Sequence, residues 1–520
     1  MESVMVIKSR AGLLALAVSL VGCNAIFGLD EPRLGESSGT AAGAQGPGGS
    51  GGETPGGGGN GAGPAGGMGG TGGGEIPCDE QCDQGCFEDV CGGHVPIKLA
   101  PGEQISCVVV QSGAVYCSGS NAFGGLAITP TTDAPSLCAT GIGAAFDRPC
   151  SHEMVRIPLP GKAGTVATGQ HAACAVLSDG RLFCWGSNGN GQLGHAPGTQ
   201  GDVTCLGGAP CQPVPFEVTA EGLDYVTGVW MTSWNHTCAI DSEGDLVCWG
   251  LNTWGQVGDG SNGTFVPPTV VQIGTTGLAA LGEGATCYLD DETDIYCAGE
   301  NAFGQFGMAN AETDACDAGA PCETTPRLTP LNAASLQFAT PRSSLCAIVG
   351  GSVQCLGWNG FGIQGTPDTS LSYATPQVIP TLDGAVSIHA GDYHACALRQ
   401  SQIFCWGTTF LGQLGDDEVG VIPGGKCAYG LPCNHLPQKA IGIENAVLLG
   451  VGTNATMALR ATGEVVAWGI SQGGNLGHDP ADPDDPTNPN LEDKDCQYST
   501  GGAQRCASTP TFVHGLPEPD

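Results

Sequence analysis

The chain has 520 residues, with 16 Lys plus Arg against 51 Asp plus Glu, a formal net charge of −35. Such a surface repels phosphate backbones and excludes a nucleic-acid-binding role, which draws on clustered Lys and Arg. Glycine (88 residues) and cysteine (27 residues) are both abundant.

In chain order, Lys8 and Arg10 precede an apolar run from Ala11 to Leu20. A basic flank and a ten-residue apolar core describe an export signal rather than a spanning helix. The run ends in Leu20-Val21-Gly22-Cys23, which resembles a bacterial lipobox. The resemblance implies a signal peptide over residues 1–22, cleavage before Cys23 and lipidation of its thiol. Residues 23–36 then form the lipidated segment, and lipid is the expected membrane attachment. Residues 37–75 are Gly-rich with Ser, Ala, Pro and Thr. They read as a flexible tether with a root-mean-square span of about 35 Å and a stretched limit of about 130 Å. Residues 76–96 hold a small cluster, Cys78, Cys82, Cys86 and Cys91, read as disulfide-bonded with metal binding as the rival.

From residue 97 a Gly-rich signature recurs seven times, clearest as Trp-Gly-Ser-Asn-Gly-Asn-Gly-Gln-Leu-Gly at 185–194. Its second position is Gly119, Gly186, Gly250, Gly299, Gly357, Gly407 and Gly469 in turn. A repeat of this length built of short strands predicts a β-propeller. The fuller unit, as in Gly391–Gly407, resembles the regulator of chromosome condensation repeat, whose members are seven-bladed propellers. The expected fold is therefore an all-β, seven-bladed propeller over 97–516 with a tail at 517–520. Its blades lie near 97–162, 163–224, 225–277, 278–333, 334–383, 384–444 and 445–516. A strand beginning near a proline follows each Gly-rich turn. The last, Pro510–Leu516, is expected to complete blade one and so close the ring.

Twelve cysteines form six pairs spaced by nine or ten residues: Cys107 with Cys117, Cys174 with Cys184, Cys238 with Cys248, Cys287 with Cys297, Cys346 with Cys355, and Cys396 with Cys405. Those spacings centre on two- and three-residue hairpin loops and place each pair face to face within reach of a disulfide. In the seventh repeat Met457 and Ala467 occupy both positions, so the partners are lost together. Zinc is the rival reading, prompted by His236-x-Cys238 and His394-x-Cys396; export favours oxidation. Five more pairs fall in long insertions after the Gly-rich turns: Cys138 with Cys150, Cys205 with Cys211, Cys316 with Cys322, Cys427 with Cys433, and Cys496 with Cys506.

His171, His236 and His394 recur near the repeat cysteines and read as inter-blade bonds to backbone. Trp185, Trp249, Trp406 and Trp468 read as inter-blade packing; Trp230, Trp234 and Trp254 crowd one repeat and read as packing before a stacking platform. Asp290-Asp291-Glu292 is a hairpin tip facing water. No catalytic motif is present, so no catalytic residue, metal or cofactor is assigned. Calcium at the acidic loop 478–495 (Asp482, Asp484, Asp485, Glu492, Asp493, Asp495) is the one weak candidate, lacking the usual ligand spacing.

The insertions Ala127–Leu159, His195–Pro213, Met308–Pro326, Asp416–Pro437 and His478–Pro510 leave the same point of the repeat and should crowd one face. The expected function is a non-catalytic, monomeric envelope lipoprotein that displays this face to a protein or glycan. A structural component of a surface assembly is the alternative, and an envelope hydrolase or lyase with a channel site the next. Guanine-nucleotide exchange, which the family resemblance suggests, conflicts with export.

Overall fold

A computed structural model describes residues 76–77, 90–91 and 94–517, except 130–136, 140–146, 234, 273, 276, 308–313, 317–320, 333–337, 341–342, 368–369, 418–426, 428–431, 472–473, 479–494 and 498–502. Seven antiparallel sheets follow one another along the chain, each built on a four-stranded meander from one repeat, with a short fifth strand from the insertion in blades one, two, four and seven. Blade two is typical, with strands Ala163–Thr168, Ala172–Leu177, Leu182–Ser187 and Pro210–Val218. Its second and third strands are buried on nearly every residue. Blades stack on both faces of each sheet, so these strands read as unbroken apolar runs instead of alternating ones.

The core consequently lies between blades. One buried cluster joins Ile105, Val109 and Val115 of blade one to Val166, Ala175 and Trp185 of blade two. Another joins Leu398 and Ile403 of blade six, Leu459 and Val466 of blade seven, and Val108 and Met154 of blade one. The first strands, from Pro96–Pro101 round to Ala446–Val451, each contact the next, and the seventh contacts the first.

The signature residues account for the geometry at each third-strand end. All seven second-position glycines have φ between 100° and 118°, a region costly for any residue with a Cβ. At Gly186 a Cβ would also lie 2.3 Å from the His171 carbonyl oxygen. In the turn itself the Asn188 carboxamide oxygen accepts the Leu193 N–H, and Gln192 Oε1 accepts that of Asn190. Asn252 and Gln256 repeat both bonds in blade three.

The expected closure is corrected. Ala503–Phe512 pairs with Val465–Ile470 of its own repeat, through Val466↔Phe512 and Gly469↔Ala507. Blade one already owns a fourth strand, Asp147–Arg156, inside its insertion, so no place in it was vacant. The ring closes by packing instead. Gly450 and Gly452 admit Pro101 so closely that a Cβ at Gly452 would sit 2.2 Å from the Pro101 oxygen. Asn475 Nδ2 donates to the Glu103 carbonyl, and Met154 N–H donates to that of His514.

All six hairpin cysteine pairs are disulfide-bonded as their spacing predicts. Cys107 is joined to Cys117, Cys174 to Cys184 and Cys238 to Cys248. Cys287 is joined to Cys297, Cys346 to Cys355 and Cys396 to Cys405. Their Cα atoms lie 4.0–4.1 Å apart. In blade two Leu177 N–H donates to Arg181 O, so the alternation of the ladder puts Cys174 and Cys184 at the closer, non-hydrogen-bonded pair. Met457 and Ala467 face each other in blade seven.

Candidate functional site

Five insertions are grafted at one register position. The residue opposite the end of the third strand is Cys150, Cys211, Cys322, Cys433 and Cys506 in blades one, two, four, six and seven. Blade five, with a short connection, carries Ser372 there, and in blade three the pairing shifts so that Gly263 faces Asn252, one residue further along. Cys205–Cys211, Cys316–Cys322 and Cys427–Cys433 are bonded, each tying its insertion back to the fourth strand. Cys150 and Cys506 are also disulfide-bonded; the side chains of Cys138 and Cys496 lie outside the described residues. Because every blade runs in the same sense, these loops leave one rim of the ring.

The blade-two insertion shows how such a loop is held. His195 Nε2 meets Asp202 Oδ1 at 2.9 Å, with both side chains buried. Asp202 Oδ2 accepts the Gly198 N–H and Asn188 Nδ2, both at 2.8 Å. A carboxylate holding three donors makes a rigid closure of the loop.

At the same end of the molecule the central channel is crossed by hydrogen bonds. Ser233 of blade three reaches Thr453 Oγ1 of blade seven at 2.6 Å and Asp392 Oδ2 of blade six at 3.4 Å. Gln170 Nε2 donates to Glu103 Oε1 at 3.1 Å. Burial pushes the Glu103 carboxyl above the usual carboxylate range, opposed in part by Gln170. Glu283 of blade four is buried at the equivalent place. These residues escaped the sequence reading. Their signal was available, since Glu103, Gln170, Glu283, Asp392 and Thr453 each stand four residues before the first hairpin position. Further along the first strands, burial and the Lys98 ammonium lower His389 to about 4.

On the opposite rim, blades three and four enclose a groove of about 650 Å³ lined by Glu243, Asp245, Gln272, Tyr288, Asp290 and Tyr296, among others. The two tyrosine rings stack at 5.7 Å, and the Tyr288 hydroxyl donates to Gln272 Oε1. Burial first, then Tyr296 and Asp290, push the Tyr288 phenol up to about 12. Asp290 Oδ1 accepts the N–H groups of Glu292 and Asp294 and so shapes the tip.

The recurrent residues hold blades together. Trp185, Trp249, Trp406 and Trp468 donate Nε1–H to backbone carbonyls of the preceding blade, at Gly125, Gln192, Ile363 and Gln413. His236 and His394 bond backbone of the following blade at Ala285 and Thr453, as expected, and also meet the hydroxyls of Thr286 and Thr456 there. Burial holds both imidazoles near a pKa of about 3. The zinc alternative at these positions is corrected: Cys238 and Cys396 are bonded to Cys248 and Cys405. His171 packs on Phe123. Trp230 covers Gly228 of its own strand, whereas Trp254 lies against Gly284 of blade four; Trp234 lies outside the described residues. So do Cys23, Cys78, Cys82, Cys86 and the proposed calcium loop beyond His478. Cys91 is described only as backbone paired with Ile76.

A ring of seven blades, each built on a four-stranded meander, with loops grafted at one register defines a β-propeller of the loop-displaying kind. The regulator of chromosome condensation (RCC1) repeat matches residues 165–192, 179–240 and 232–256, all within blades two and three. The mouse E3 ubiquitin-protein ligase HERC2 is 21% identical over 355 residues, 67% of this chain and 7% of its own length. The ultraviolet-B receptor UVR8 of Arabidopsis thaliana is 29% identical over 169 residues, 32% of each. A mouse secretion-regulating guanine nucleotide exchange factor is 27% identical over 234 residues, 35% of this chain and 48% of its own. The chain thus spans only part of each of these relatives. Among solved structures, human WBSCR16 aligns with a TM-score of 0.58 at 19% identity, covering 78% of this chain and 96% of the other. Saccharomyces cerevisiae Prp20p, described with its binding to Gsp1p and histones, aligns at 0.57 and 18%, covering 81% and 87%. These likenesses establish the fold.

Proposed function

We propose that this chain is an exported, non-catalytic binding module that captures a protein or glycan on its insertion rim. The observation that carries the reading is the shared register of the five insertion cysteines. Chemistry that merely stabilised the ring would not need extra loops, all on one rim and tied back to the fourth strands. Stapled loops lose little freedom on binding, which lowers the cost of complex formation. Relatives named as a receptor, a ligase and an exchange factor agree with a propeller used for recognition. The Glu103 and Asp392 carboxylates bond Gln170 and Ser233, which suits a channel floor better than an acid–base pair. Abundant disulfides suit an oxidising compartment, and in this reading Cys23 carries the lipid and residues 37–75 the tether.

Affinity capture from envelope and secreted fractions tests the proposal. The oxidised chain is compared with one whose exposed insertion residues, such as Val203 and Leu206, are changed to Ser. A saturable partner weakened by those changes supports the reading. A partner held equally well by both chains, or the chain recovered only as a fixed part of a detergent-stable assembly, contradicts it.

A further inference from the structure

The staple of the blade-six insertion differs in having an imidazole at its sulfurs. His435 Nε2 lies 3.5 Å from Cys433 Sγ and 3.8 Å from Cys427 Sγ. All three residues are buried, and their ligand atoms lie within 4.8 Å of one another, the one such group among the described residues. Tetrahedral zinc with Zn–S of about 2.3 Å and Zn–N of about 2.0–2.1 Å requires S···N edges of about 3.6 Å. Both S···N separations are already close to that value.

The ring is also held without another use. His435 is 4% exposed, and its Nδ1 is buried with no hydrogen-bond partner among the described residues. A buried polar atom left unpaired calls for an explanation. The edge of the ring rests on Gly362 of blade five, where a Cβ would lie 3.1 Å from Nδ1, so the imidazole cannot readily swing away.

We propose that Cys427, Cys433 and His435 form a redox-gated site for a thiophilic divalent cation such as Zn²⁺, which replaces the disulfide as the staple of the blade-six insertion. A dithiol reductant supplies two electrons and two protons and becomes a disulfide itself; the Cys427–Cys433 bond breaks and two thiols form. The cation then displaces the two thiol protons to solvent and accepts the lone pair of His435 Nε2. Water completes the fourth position. Reduction alone would free the insertion, whereas reduction with metal present keeps Cys427 tied to the fourth strand.

The experiment uses the full oxidised chain, treated with an immobilised dithiol that is removed before Co²⁺ is added without oxygen. Alkylation and mass spectrometry identify the bridges that opened. Chains with Cys427 open should bind Co²⁺ with thiolate-to-metal charge-transfer absorption, displaced by Zn²⁺. His435→Gln should weaken that binding about tenfold or more through loss of one of three ligands, and His435→Cys should restore it. Equal binding by wild type and His435→Gln, or undiminished absorption in a Cys427→Ser, Cys433→Ser double variant, would overturn the assignment. Unchanged circular dichroism in the His435 variants ties either result to the site rather than to misfolding.

Discussion

Gly186 and Gly189 stand three residues apart in one signature under different constraints. Gly186 has φ 102° and would press a Cβ into the His171 carbonyl, while nothing lies near Gly189. Gly186→Ala is expected to cost about 2 kcal/mol or more and Gly189→Ala no more than about 0.5 kcal/mol, read from chemical denaturation of the oxidised chain. Thr293, a β-branched residue at φ 69°, sits where other hairpin tips place Gly180 and Gly244. Thr293→Gly should raise stability by about 1 kcal/mol, and a lowered melting temperature would contradict that. Buried His236 and His394 carry folded pKa values near 3 against an ordinary 6.5. A depressed histidine pKa means the unfolded chain binds more protons between those limits. Stability is therefore full above about pH 6.5 and falls toward about pH 3, by up to about 1.4 kcal/mol per pH unit for each ring. His236→Gln should flatten the acid side of the melting-temperature profile; an unchanged slope would count against this origin.

At the scale of hairpins, much was legible because the information is local. A spacing of nine or ten residues, with Met457 and Ala467 replacing both partners together, carries the pairing within a single hairpin. Replacing Cys174 and Cys184 by Ala together is expected to cost about 2–3 kcal/mol, the entropy of a short closed loop, measured against the wild type by urea titration. The groove on the other rim was not legible. Tyr288 and Tyr296 face each other within one hairpin, but Glu243, Asp245 and Gln272 come from the preceding blade, and only blade stacking brings them there. The channel end has the same origin, since Ser233 meets Thr453 across the ring, a contact that no periodicity encodes. Even so, its members other than Ser233 share one offset from the hairpin positions, and a column-wise comparison of repeats would have found them.

For the whole molecule, the misread was closure. Strand count per repeat decides it: Asp147–Arg156 already fills blade one, so Ala503–Phe512 serves blade seven. Deleting residues 503–520 should raise amide exchange in Ala446–Ile470 first, then at the seam with Pro96–Pro101. Loss confined to blade one would refute the observed pairing. A ring closed by packing, with Gly452 against Pro101, keeps its seven third-strand ends in one plane of the architecture, and that is what turns five separate insertions into one surface. The most direct measurement is amide hydrogen exchange of the oxidised chain with and without its captured partner. The account predicts protection concentrated in residues 127–159, 195–213, 308–326, 416–437 and 478–510. Protection confined to the hairpin tips around Glu243 and Asp290, with the insertions unchanged, would contradict it.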